Sequence, residues 1–151
     1  MPDVTPLLWF EGDAEEAARF YVSIFKNSSI TSVSEMMVEF SLDGHDVMAL
    51  NAPSSEPKPR NDDFQQGKIA LFITCETQAD VDHLWEKLAA GGEESQCGWL
   101  RDRYGFSWNI VPQGLTSVLG GPDPQRAQRA MRAMLQMQKL DINELRRVYA
   151  Q

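Results

Sequence analysis

The sequence predicts an α+β protein made of two βαβββ units, whose curved mixed sheets face each other, followed by a C-terminal helical tail. Three observations predict it. The hydrophobic pattern runs strand, helix, strands, break, strand, helix, strands, with long helical periodicity only at the end. The two halves are similar: shifted by 65 residues, Leu7 meets Phe72, Leu8 meets Ile73, Ala14 meets Ala79 and Phe20 meets Trp85, and shifted by 61, Gly44 meets Gly105. Between them, residues 53–66 hold Pro53, Pro57 and Pro59 among Ser, Asn and Asp, a composition that breaks regular structure. A repeated unit predicts two equivalent sheets about a pseudo-twofold. The predicted organisation is a two-unit body over 1–112, with units 1–52 and 67–112, and a helical arm over 113–151.

Each element has its own signal. Val4 to Phe10 is apolar with β-branched and aromatic members and reads as a buried strand. Asp13 reads as a helix cap, and Ala17, Ala18, Phe20, Tyr21, Ile24 and Phe25 form the apolar face that follows. Ile30–Met37 and Val38–Leu42 read as strands. Asp43-Gly44 is a tight hairpin signal because both residue types accept a left-handed turn, and Val47–Asn51 is the return strand. In the second half Lys68–Cys75 is a strand, and Thr77 caps a helix carrying Val81, Leu84, Trp85 and Leu88 on one face. Gly91-Gly92 ends that helix. Glu93–Arg101 and Phe106–Val111 are strands around the turn Asp102 to Gly105. In the tail, Asp123 caps a helix with Pro124 at its first position, and Ala127, Ala130, Met131, Met134, Leu135 and Met137 form one stripe. Asp141 and Glu144 have capping-box spacing for a last helix.

Composition excludes several classes of function. With 14 Lys and Arg against 22 Asp and Glu, the chain carries a net charge of −8, which argues against a nucleic-acid partner. The charge is uneven: residues 123–151 carry six basic side chains against three acids, so the body is more acidic than the sum. No apolar run approaches the roughly 20 residues that span a bilayer, and the opening residues lack a basic segment followed by an apolar one. Cys75 and Cys97 have no metal-type spacing. These features predict a cytoplasmic protein without membrane association.

Val4-Thr5-Pro6-Leu7-Leu8-Trp9-Phe10, followed by Ala17-Ala18-Arg19-Phe20-Tyr21, resembles the entry of the glyoxalase and bleomycin-resistance fold of the vicinal oxygen chelate superfamily. Leu42-Asp43-Gly44, Val47 to Asn51, the block Cys97 to Pro112, and Ala133 to Met137 with Leu140-Asp141-Ile142 resemble its PhnB-like branch, which is labelled 3-demethylubiquinone-9 3-methyltransferase-like. The resemblance implies a metal site with one ligand from the first strand of each half and one from the last, typically His, Gln or Glu. The matching positions here are Pro6, Lys68 or Ala70, Met48 and Asn109, none of which is His, Asp or Glu. Neither metal nor cofactor is therefore expected.

Metal-free members of the superfamily bind ligands in the same cleft. Strand alternation assigns Met48, Leu50, Lys68, Phe72, Thr74 and Asn109 to it, and Trp99 is added as a residue that could pack or serve as a substrate platform; the surface is apolar with few polar handles and suits a small organic molecule. No catalytic residue is assigned. The rival readings are an enzyme of the superfamily using a non-standard metal or Cys97 or Asp102, and a resistance-type protein that sequesters a ligand. Methyl transfer fits poorly, because Gly91-Gly92 and Gly120-Gly121 lie outside a strand-to-helix nucleotide turn. His45 reads as a hairpin residue, His83 as part of a solvated helix face with Asp80 and Glu86, and Asp102 as an acceptor within its own turn. The fold's habit of sharing units between chains, and the apolar stripe of the tail, predict a homodimer with the arm at its interface.

Overall fold

The computed structural model describes residues 4–51 and 69–151, so Lys68 and the Pro-rich segment lie outside the described residues. The chain divides into two compact units, Met1–Arg60 and Asn61–Gln151. The first contains β1 (Leu7–Phe10), α1 (Ala14–Ile24), β2 (Ser29–Val33), β3 (Met37–Leu42) and β4 (His45–Asn51). The second contains β5 (Leu71–Cys75), α2 (Gln78–Ala89), β6 (Glu93–Glu94), β7 (Trp99–Arg101) and β8 (Ser107–Pro112), then α3 (Leu115–Leu119), α4 (Pro124–Leu135) and α5 (Ile142–Ala150).

Each unit forms a four-stranded mixed sheet with the same order, β1-β4-β3-β2 and β5-β8-β7-β6. In both, the first strand runs parallel to the last and the other pairs are antiparallel. The internal repeat is thus real at the level of register. Leu7 pairs with Met48 in the first sheet, and the residues 65 and 61 further on, Phe72 and Asn109, pair in the second.

In the first unit α1 buries Ala14, Ala17, Ala18 and Tyr21, opposite Val38, Phe40, Val47 and Ala49 of the sheet. The rings of Tyr21 and Phe40 stack with centroids 6.3 Å apart. β1 alternates between buried and exposed residues, so it is covered on one side only, and Val4 is exposed ahead of it; the expected buried strand over Val4–Phe10 is shorter and two-sided. The helix cap also differs from expectation. Asp13 makes no side-chain cap; the N–H groups of Gly12 and Ala14 instead donate to Asn51 Oδ1 at 3.1 and 2.9 Å, so the end of β4 caps α1 from across the unit. The Asp43-Gly44 hairpin is present, with φ of 49° and 81°, the left-handed values of a two-residue loop.

In the second unit α2 buries Val81, Leu84, Trp85 and Leu88, the face predicted from spacing, and Thr77 caps it through Asp80 N–H. The predicted continuous strand over Glu93–Arg101 is broken. Cys97 and Gly98 have φ of 59° and 82°, and left-handed backbone cannot continue a ladder. Gly98 is required there: a Cβ would lie 2.6 Å from the Ile110 carbonyl oxygen and 3.0 Å from Leu140 Cδ1.

The arm has its own small core of Val118, Ala130, Ile142 and Leu145, with Met134, Met137 and Tyr149 packed against it. The predicted caps form: Asp123 accepts from Gln125 and Arg126 N–H, and Asp141 accepts from Glu144 N–H. The expected single stripe is split, because α4 ends at Leu135; Ala130 is buried whereas Met131 and Leu135 are exposed. Sequence reading also omitted the short helix α3.

Two ties hold the arm to α2. Gln78 Nε2 donates to the Leu140 carbonyl at 2.8 Å while its Oε1 accepts from Ile142 N–H at 2.9 Å, and Lys139 Nζ pairs with Asp82 at 2.8 Å. Among the described residues no helix is long and apolar enough to cross a membrane.

Candidate functional site

Residues directly opposite each other on neighbouring strands point to the same face of a sheet. In the second sheet Phe72 of β5, Asn109 of β8 and Trp99 of β7 are opposite one another, and together they form a row across three strands. Thr74, opposite Val111, lies on the same face. Four of the predicted site residues are thus brought together. Phe72 is 65% exposed and Trp99 38%, whereas Asn109 between them is only 7% exposed. The row is a floor with two raised aromatic edges and a polar centre.

Met48 and Leu50 belong to the equivalent face of the first sheet. Met48 is opposite both Leu7 and Glu39, and Leu50 is opposite both Trp9 and Met37. The row Leu7–Met48–Glu39 is therefore the counterpart of Phe72–Asn109–Trp99. Glu39 and Leu7 were missed because strand register is not visible in either strand alone. Lys68 lies outside the described residues, so its placement adds nothing to either row.

The Asn109 amide is held in one orientation. Its Nδ2 donates to the Cys97 carbonyl at 3.2 Å, which directs Oδ1 away from that loop, and no other side-chain hydrogen bond of Asn109 is made among the described residues. Cys97 is itself fixed by the arm. Its N–H donates to the Met137 carbonyl at 2.9 Å, Gly98 N–H donates to Gln138 at 2.8 Å, and the thiol contacts the Met134 carbonyl at 3.6 Å. The strained backbone of Cys97, a non-glycine residue at positive φ, thus aims one carbonyl at the site. Two residues along the same strand face, Ser107 Oγ is buried without a hydrogen-bond partner among the described residues.

The rival catalytic candidates are placed otherwise. Asp102 is buried and accepts from Tyr104 and Phe106 N–H on Oδ1, at 2.9 and 3.1 Å, and from the Trp108 indole on Oδ2 at 2.8 Å. It closes its own turn. His45 and His83 are exposed, and among the described residues no three His, Cys, Asp or Glu side chains cluster to hold a metal. Cys75 is buried; desolvation, and then the charge of Asp80, push its thiol up to about 11, which keeps it protonated and unreactive.

A mixed sheet of this order with a helix packed on one face, made twice in one chain, defines the glyoxalase-like fold. Solved structures share it: a glyoxylase/bleomycin resistance protein/dioxygenase domain from Frankia sp. is 16% identical, with a TM-score of 0.51 over 74% of this chain and 97% of that one. The PhnB protein from Bacillus cereus is 31% identical, with a TM-score of 0.64 over 74% of this chain and 99% of that one. A fosfomycin resistance protein from Listeria monocytogenes, in complex with Mn(II) and sulfate, is 18% identical, with a TM-score of 0.52 over 79% and 95%. Residues 2–111 match the family described as 3-demethylubiquinone-9 3-methyltransferase, and the chain belongs to that PhnB family. The match ends at residue 111, so the arm that fixes Cys97 lies beyond it. None of the curated proteins matches the chain.

Proposed function

We propose that this protein binds a small organic molecule against the sheet face carrying Phe72, Asn109 and Trp99, without a metal ion. The single observation that carries this reading is the row of two exposed aromatic rings flanking a buried, oriented amide. Ligand sites are mostly apolar surfaces with a few convergent polar groups, and this face has that composition. The metal-free part rests on the residues themselves: Pro6, Met48 and Asn109 stand where the superfamily places ligands, and neither proline nor methionine offers an oxygen or imidazole donor.

Methyl transfer is not part of this reading, although the family's description carries that name. Gly91-Gly92 follow α2 and Gly120-Gly121 follow α3, so neither pair forms the strand-to-helix turn that cradles a nucleoside. Sequestration without turnover is the form of binding that fits an Asp102 whose carboxylate is engaged within its own turn.

The test is a fragment titration followed by two-dimensional NMR. Fragments that shift the side-chain signals of Trp99 and Asn109, and lose affinity in Trp99→Leu, support the proposal. Hits confined to the outer surfaces of α2 or the arm, or no hits, contradict it.

A further inference from the structure

The geometry of this face points to a class of ligand: we infer that it takes a planar aromatic or heteroaromatic ring bearing a hydrogen-bond donor. This rests on the reading that the face binds a small molecule at all. Adjacent strands lie about 4.8 Å apart, so the positions of Phe72 and Trp99, each one strand from Asn109, are separated by roughly twice that distance. A flat group above Asn109 would then have an aromatic residue one strand away on either side, and aromatic pairs attract over about 4.5–7 Å between ring centroids. A bulky aliphatic group fills the same gap without the ring-to-ring attraction.

The polar centre fixes the second half of the inference. One N–H of Asn109 Nδ2 is taken by the Cys97 carbonyl, which fixes the amide, and Oδ1 has no partner among the described residues, so an acceptor is free for whatever stands above it. A buried acceptor discriminates: a ligand with an O–H or N–H satisfies it, and one without leaves it desolvated and unpaired. A ring whose polar substituent faces the strand, with its faces toward Phe72 and Trp99, meets both requirements.

Three probes on one bicyclic carbon skeleton separate the elements: 2-naphthol, 2-methoxynaphthalene and decahydro-2-naphthol, titrated into the full chain and followed by NMR. The first has both ring and donor, the second only the ring, the third only the donor. 2-Naphthol should bind about tenfold tighter than either of the others. Phe72→Leu and Trp99→Leu, which keep apolar bulk, should each weaken it severalfold. Asn109→Leu should abolish the preference for 2-naphthol over its methyl ether, with the amide spectrum of the rest of the chain reporting that the variant is folded. Equal binding of decahydro-2-naphthol, or an unchanged preference in Asn109→Leu, would overturn the ligand class while leaving the binding face intact. If no probe moves Phe72, Trp99 or Asn109, the binding reading itself fails. Concentration-dependent shifts of Phe72 and Trp99 without any probe would show a second copy of the chain on this face, and would overturn both.

Discussion

The indole N–H of Trp108 donates to Asp102 Oδ2 across 2.8 Å, inside the second unit, where both residues are buried. The other carboxylate oxygen takes the N–H groups of Tyr104 and Phe106, and the Asp102 N–H returns to the Phe106 carbonyl at 2.8 Å. One side chain therefore closes the turn between β7 and β8 and satisfies the indole of Trp108, the residue before Asn109 in β8.

Asp102→Ala should destabilise the second unit by about 3 kcal/mol, because three donors lose a charged acceptor and the indole N–H is left unpaired in the core. Urea unfolding at neutral pH measures it. Trp108→Phe in the Asp102→Ala background should cost less than in the parent chain, since the two residues are coupled. Additive losses would show that the bond contributes little.

Gln78 is the hinge pin of the arm. Gln78→Ala removes both hydrogen bonds to Leu140 and Ile142 and should cost about 2 kcal/mol. Amide exchange at Ile142 should accelerate before exchange in β8 does, because the arm opens as a local unit. The Asn109 side-chain signal should shift in the same variant, since the Met137–Leu140 segment holds Cys97. Parent-like exchange at Ile142 would contradict this.

Cys75 gives a dependence on pH. Its folded value lies above that of an unfolded thiol, so it contributes stability that is complete below the unfolded value of about 9 and is lost as pH rises toward about 11. Cys75→Ser should flatten the alkaline loss of stability between those limits. Iodoacetamide at pH 8 should leave Cys75 unmodified in the native chain and modify it in urea. Rapid native labelling would contradict the burial on which both expectations rest.

We also propose that the chain forms a homodimer through its arm. Met131 and Leu135 lie one turn apart and exposed on α4, beside Arg132. Arg129 is engaged within the chain, donating to the Gln151 carbonyl at 2.7 Å, so charge reversal there would disturb the arm itself. Leu135→Asp with Arg132→Glu is the cleaner test. Light scattering should give twice 17.0 kDa for the parent and a shift toward monomer for the variant. A parent chain of 17.0 kDa would contradict the proposal.

Much of the fold was legible because each unit repeats one pattern: Phe72 and Asn109 are the echoes of Leu7 and Met48, and the shifts of 65 and 61 residues already encode the register. The caps at Asp123 and Asp141 were legible because they are local. The cap at α1 was not, because Asn51 arrives from the far end of the unit and nothing near Asp13 announces it. The break at Cys97-Gly98 was hidden for the same reason: both residues take left-handed conformations while Cys97 N–H donates to the Met137 carbonyl and Gly98 N–H to the Gln138 carbonyl, some 40 residues on. Phe72, Thr74, Trp99 and Asn109 share one sheet face, a placement that alternation makes legible within a strand, whereas the Cys97 carbonyl that orients Asn109 is a backbone group and leaves no mark on residue type.

The face bearing Phe72, Asn109 and Trp99 is tested most directly by intermolecular nuclear Overhauser effects from bound 2-naphthol. Contacts from its ring protons to both the Phe72 and the Trp99 side chains, with a shift of the Asn109 amide, are the predicted result. Contacts to α2 or the arm alone, or none to either ring, would contradict it.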